Sequence, residues 1–362
     1  MKNIRKFLCL ALALIMVLSL AACGSKSDDA QDNNDDAQQT AGHPIEGGTF
    51  VYAIEEPITS LNWYNNNSTD LGKQVFSNLY DPMWKNNADG SLDYRLAKNV
   101  DISEDGTTYT LTLRDDIYWS DGEKITTDDI VFTLDTLVEP EVAPSTASGY
   151  KVDGEFCSYE KVSDTEIVFT IGRASNLFKK ALGALYVLPA HCFEGVAATE
   201  VLTCEQNDTI ATSGAFVVDS FNVGEKLVCV KNDKYYRMPA HIDGFEVRCV
   251  SDAGTQEIAF QNGELSIFTI SNAETLANYK DNENYQIVSY PDGRITFLQV
   301  NPNSEAMSTM EARQAVIYAL DLDALVYGTY GDEALCRTAT SILSTVSMFY
   351  NPEITNYQQD LD

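Results

Sequence analysis

The stretch from Ala97 to Leu137 constrains this chain more than any other. Asp105-Gly106 is a turn pair, and Thr108-Tyr109-Thr110-Leu111-Thr112-Leu113 then alternates large apolar residues with threonine. A period of two predicts a strand with one buried face. Trp119-Ser120-Asp121-Gly122-Glu123-Lys124-Ile125 reads as a second turn, because an Asp-Gly pair suits tight backbone reversal. Thr126 or Thr127 then stands as an N-cap, with Asp128 and Asp129 behind it and Ile130, Val131, Leu134 and Leu137 on adjoining helix faces. A capping hydroxyl satisfies orphan N–H groups, and acids in the first turn meet the positive end of the helix dipole. The chain therefore mixes strand and capped helix at short range.

The rest of the body continues this alternation. Gly48-Thr49-Phe50-Val51-Tyr52-Ala53 is strand-like, and a polar loop follows from Leu61 to Asp70. Thr69 or Asp70 can cap a helix from Leu71 to about Leu79, with Leu71, Val75, Phe76 and Leu79 on one face. Tyr80-Asp81-Pro82 and Asn87-Ala88-Asp89-Gly90 punctuate the chain.

Residues 1–22 are not part of the folded body. Lys2, Arg5 and Lys6 precede an uncharged apolar run, Phe7 to Leu20, which is too short to span a bilayer comfortably. It ends in Leu20-Ala21-Ala22-Cys23-Gly24, which resembles a bacterial lipobox, so Cys23 is the expected lipidation site and the start of the mature chain. Residues 23–47 are rich in Asp, Gln, Asn, Ser and Ala without apolar periodicity, as expected of a disordered acidic tether. Such a leash reaches roughly 25–30 Å as a flexible coil, and acyl chains would hold it at the outer face of the cell membrane.

Charge and cysteine usage narrow the partners. With 24 basic and 54 acidic residues the formal charge is −30, which repels nucleic acid phosphates and anionic headgroups. Beyond Cys9 and Cys23 six cysteines remain: Cys157, Cys192, Cys204, Cys229, Cys249 and Cys336. None has the spacing of a zinc finger or a redox pair, and only His43, His191 and His241 could join them, so no dedicated metal site is expected. Cys229 and Cys249 lie in two apolar runs and are candidates for a bridge or for buried thiols. No nucleophile elbow, ordered Ser/His/Asp set or phosphate loop stands out, so catalysis is not expected.

Leu113 to Phe132, with its Leu-Arg pair, Trp119, Asp121-Gly122, Thr126, Thr127 and Asp128, resembles the signature of the family-5 solute-binding proteins of ABC importers. Three other stretches agree in order. They are Val75 to Tyr80 followed by Asp89-Gly90 and Leu96-Ala97; Thr212 to Phe216, Phe221 and Lys231 to Tyr236; and Asn301-Pro302 with Glu311 to Asp321. The resemblance implies an α/β, two-lobed periplasmic-binding-protein-like fold (class II, cluster C type). Family chains run longer, so the second lobe would be incomplete. The implied division is a first lobe over 48–293, with an inserted subdomain at about 80–185, and the start of a second lobe over 294–362.

It also implies a function: a monomeric lipoprotein that closes on an extracellular peptide and delivers it to permease subunits with cytoplasmic ATPases, without a cofactor. Three stretches would face the cleft. They are the loop with Trp63, Tyr64, Asn67 and Ser68; the segment Ser145 to Tyr150; and a crossing strand Arg294 to Asn301, whose alternation sets Phe297 and Gln299 on one side. Each has a plainer alternative: a capped surface loop, an aromatic at a lobe edge, and core packing. Trp119, Asp121, Gly122 and Arg313 match the family's positions but read as scaffold. An oligosaccharide or metal-chelate binder on the same fold, a ligand sensor partnering a receptor, and a lipoprotein hydrolase remain the other readings.

Overall fold

The computed structural model describes residues 46–66, 70–87, 89–142, 145–291, 293–347 and 349–360. Residues 1–45, which include Cys23, the stretch expected to be signal and the expected tether up to that point, lie outside them, as do Asn67 and Ser68.

Two four-stranded sheets organise the chain. The first has the order β1-β12-β11-β10, with β1 (Thr49–Ile54), β12 (Gly244–Cys249), β11 (Lys226–Lys231) and β10 (Phe216–Asn222). β1 and β12 run parallel while the other neighbours are antiparallel. Everything between β1 and β10 is thus inserted between elements of one sheet. The second sheet, β4 (Ala97–Ile102), β5 (Thr108–Leu113), β9 (Glu166–Thr170) and β8 (Ser158–Ser163), pairs antiparallel throughout in the order β4-β5-β9-β8. Tyr109, Leu111 and Leu113 of β5 are buried and its threonines half-buried, as the alternation predicts. Two ribbons complete the strands: β2 (Trp84–Asn86) with β3 (Leu92–Tyr94), and β6 (Lys151–Val152) with β7 (Glu155–Phe156).

The helices are α1 (Trp63–Asn66), α2 (Asp70–Phe76), α3 (Thr127–Val138), α4 (Asn176–Gly183), α5 (Ala253–Gln261), α6 (Ala273–Tyr279), α7 (Met310–Ala319) and α8 (Leu322–Tyr330). Thr126 caps α3 in a reciprocal box: its hydroxyl accepts from Asp128 N, and the Asp129 carboxylate accepts from Thr126 N at 2.9 Å. One buried apolar cluster runs from Ile54 to Val247, with Trp84, Trp119, Phe169 and Phe178 among its fully enclosed side chains. Among the described residues past Tyr279 none is buried. No helix of the described residues is long and apolar enough to cross a membrane.

One expectation is corrected and one open alternative is settled. Residues 294–300 form no strand, and Phe297 and Leu298 are each 67% exposed, so the two sides anticipated for that segment do not exist. An alternating sequence becomes a strand only when a neighbour completes its ladder, and among the described residues none pairs with it. The six cysteines are free thiols. A Cys229–Cys249 bridge is ruled out by register, since Cys229 lies opposite Phe245 while Cys249 pairs with Ile54 at the far end of β12. Asp321, the last residue of the Glu311–Asp321 match, caps α8 by accepting from Ala324 N at 2.9 Å.

Candidate ligand-binding surface

The loop after β1 is fixed by polar side chains rather than by regular structure. Asn62 Nδ2 donates to Asn207 Oδ1 at 2.8 Å, Leu61 N to Asn207 O at 2.9 Å, and Asn65 Nδ2 to Leu202 O at 2.9 Å. Tyr80 closes it from below the core side, its hydroxyl donating to Leu61 O at 2.9 Å. Asn and Ser favour such loops because their side chains bond nearby backbone; Asn62 Oδ1 indeed accepts from Tyr64 N at 2.9 Å.

Of the residues expected at the ligand, Trp63 and Tyr64 meet at Tyr186, and Tyr150, whose ring lies against Phe156, stands near Tyr64. Trp63 stacks on Tyr186, with ring centroids 3.5 Å apart and planes at 21°. The Tyr64 hydroxyl donates to Tyr186 O at 2.8 Å, and Tyr150 donates to Ala181 O at 3.2 Å. Burial raises the Tyr64 phenol well above its ordinary range, with Tyr150 and Tyr186 adding to it, and pushes Tyr186 up to about 12. Trp63, Tyr64 and Tyr150 are buried and both hydroxyls are committed to main-chain carbonyls. Their side chains are part of the core here, while Asn65 of the same loop is exposed. Phe297 and Gln299 are exposed and belong to a separate segment. Asn67 and Ser68 lie outside the described residues.

Sequence reasoning missed a second constellation. Asp81 is 3% exposed, and its Oδ2 accepts from Tyr235 at 2.6 Å and Tyr236 at 2.8 Å. Its backbone N donates to Ser213 Oγ at 3.1 Å, and Arg95 Nη1 stands 3.8 Å from Oδ1. Burial, with the Asp81 charge adding, raises both phenols, so they stay neutral donors. Arg114 lies over the Tyr236 ring at 4.9 Å, and Asn232 Nδ2 donates to Gly214 O at 3.0 Å. The Asn232, Tyr235 and Tyr236 motif is therefore a structural knot that ties the chain after β11 to the turn before β2. Its one legible sign was Asp81 beside Pro82 in an otherwise apolar stretch. Among the described residues, one group combines metal-ligand types: Asp121, His191 and Cys192.

Comparison with known proteins agrees with this architecture. The family model described as bacterial extracellular solute-binding proteins, family 5 middle, matches residues 92–362. The oligopeptide-binding protein AppA of Bacillus subtilis (strain 168) is 26% identical over 99% of this chain and 63% of its own length. The ABC transporter substrate binding protein CtaP of Listeria monocytogenes superposes with a TM-score of 0.77 at 26% identity, covering 87% of this chain and 63% of that one. The Bacillus subtilis AppA structure in complex with a nonapeptide gives 0.71 at 22% identity over 88% of this chain and 62% of that one. This chain thus spans a little under two thirds of the relatives it matches. With one mixed and one antiparallel sheet it has the α/β fold of the two-lobed binding proteins, and it belongs to the bacterial extracellular solute-binding proteins of family 5, which are binding proteins rather than enzymes.

Proposed function

We propose that this chain captures peptides outside the cell and delivers them to the permease of an ABC importer, held at the outer face of the membrane through lipid on Cys23. The observation that carries this reading is the alignment with an oligopeptide-binding protein along 99% of the chain, in the element order of the fold it shares. Residues 1–22 act as the lipoprotein signal and 23–47 as the tether. The first lobe is 48–293, with its inserted subdomain at about 80–185, and the second lobe begins at 294. Asn67, Ser68, Phe297 and Gln299 contribute contacts to ligand, while Trp63, Tyr64 and Tyr150 support binding through their buried packing. The protein works as a monomer.

The tryptophans favour peptide over oligosaccharide. Sugar sites stack rings on aromatic faces, yet Trp63, Trp84 and Trp119 are the only three in the chain and all are buried. Peptide main chain needs hydrogen-bonding groups and roomy, wet side-chain pockets instead. A thermal-shift screen of the protein against pools of random peptides, maltooligosaccharides and metal chelates tests this. Peptides alone should raise the melting temperature; a rise with sugars alone would end the peptide reading. Mass spectrometry of the mature N-terminus should find diacylglycerol on Cys23, and Cys23→Ala should release the protein from the cell surface.

A further inference from the structure

Two turns far apart in sequence bring a carboxylate, an imidazole and a thiol together beside Trp119. Gly122 N donates to Trp119 O at 2.9 Å with Gly122 at φ +104°, a conformation glycine adopts without strain. This closes the turn that carries Asp121. The turn Ala190–Phe193 is set by Ala190 N, which donates to the buried Asp129 carboxylate at 2.9 Å, and by Cys192 N donating to Pro189 O at 3.0 Å. Between them His191 Nε2 lies 2.7 Å from Asp121 Oδ2 and 3.5 Å from Cys192 Sγ. The three ligand atoms all fall within 4.8 Å of one another.

We propose that Asp121, His191 and Cys192 form a zinc(II) site, with water in the fourth position. Tetrahedral zinc, with bonds of about 2.0 Å to N and O and 2.3 Å to S, sets its ligand atoms roughly 3.3–3.6 Å apart. The sulfur–nitrogen separation already has that value, and the nitrogen–oxygen pair needs to open by about half an ångström. One imidazole nitrogen faces both other donors, as it must to share an ion with them. The side chains of Asp121 and His191 are 44% and 34% exposed, which leaves a path for the ion and room for water. The donor set, one borderline nitrogen, one soft sulfur and one hard oxygen, suits zinc better than calcium or magnesium. The nearby buried Asp129 adds negative charge, while Lys234 Nζ, close to Gly122, offsets part of it. Occupancy would staple the Asp121 turn, at the entry to α3, to the turn at 190–193.

The test uses the full chain, reduced and stripped of metal, titrated with zinc chloride against a chromogenic competitor. One zinc per chain is expected, with the melting temperature rising by about 5 °C at a hundredfold excess over Kd. His191→Ala, Cys192→Ser and Asp121→Asn should each weaken binding at least about tenfold, and His241→Ala should not. Because a variant could misfold, alkylation of the wild-type chain gives an independent readout: zinc should protect Cys192 selectively, as mapped by mass spectrometry. Substoichiometric binding, binding unchanged in the three variants, or equal alkylation of Cys192 with and without zinc would overturn the site.

Discussion

Asp81 shows how much one residue can hold. It is a buried carboxylate with two tyrosine hydroxyls on one oxygen and a guanidinium beyond the other. Asp81→Ala would leave Tyr235 and Tyr236 as half-buried donors and Arg95 without its inner partner, an outcome that costs about 3 kcal/mol. Tyr236→Phe removes one donor of a pair and should cost about 1 kcal/mol. Urea denaturation followed by fluorescence checks both; equal effects would mean that the carboxylate is not the hub. Asp81 and Tyr235 stand 154 positions apart, and no local pattern links an acid before a proline to a distant tyrosine pair. Trp119 was legible for the opposite reason, because its scaffold role follows from the Asp-Gly turn beside it. Asp121, His191 and Cys192 match no spacing rule because Asp121 stands 70 positions before the adjacent His191 and Cys192.

An element was readable in advance where a clean local signal meets partners in the fold, and not where those partners are missing among the described residues. α3 begins where its capping threonine says it should, and β5 buries the side its alternation marks. The segment at 294–300 carries an alternation broken by adjacent Phe297 and Leu298 and forms no strand, because every ladder hydrogen bond of a strand comes from a neighbour and no described residue pairs with it. α3 also shows how a helix is anchored to its surroundings. The buried Thr133 hydroxyl donates to Asp129 O at 2.6 Å and accepts from Leu188 N at 2.8 Å, so it joins the helix to the chain entering the 190–193 turn. Thr133→Val keeps the shape and removes the acceptor, leaving Leu188 N–H buried without a partner. A loss of about 1–3 kcal/mol is expected, against about 1 kcal/mol for Thr126→Ala at the cap. Amide exchange separates the two: Thr133→Val should speed exchange at Leu188, whereas Thr126→Ala should act on the first turn of α3.

For the molecule as a whole, charge sets the response to acid. The formal charge of −30 and an isoelectric point near 4.2 mean that acidification from neutral pH relieves self-repulsion, which favours the compact state. A second effect opposes it lower down. Hydrogen bonds from Ser91 hold Asp89 below the usual carboxylate range; Ser103 and Thr107 do the same for Asp105, and Thr255 for Asp252. Arg114 and Arg173 lower Asp116 and Asp153. A carboxyl depressed on folding binds fewer protons folded than unfolded, so its contribution is present above the ordinary value of about 4 and is lost as pH falls below it. Asp129, raised by burial, acts with the opposite sign, but among the described carboxyls it stands against seven lowered ones, Asp93 and Asp121 included. The melting temperature should therefore climb from pH 7 to about 5 and fall below about 4. Calorimetry at low protein concentration checks this. Adding about 0.5 M salt separates the causes, because screening flattens the upper limb, which arises from long-range repulsion, and leaves most of the lower limb, which arises from short contacts. A melting temperature that kept rising to pH 3 would mean that these aspartates lack their partners in solution.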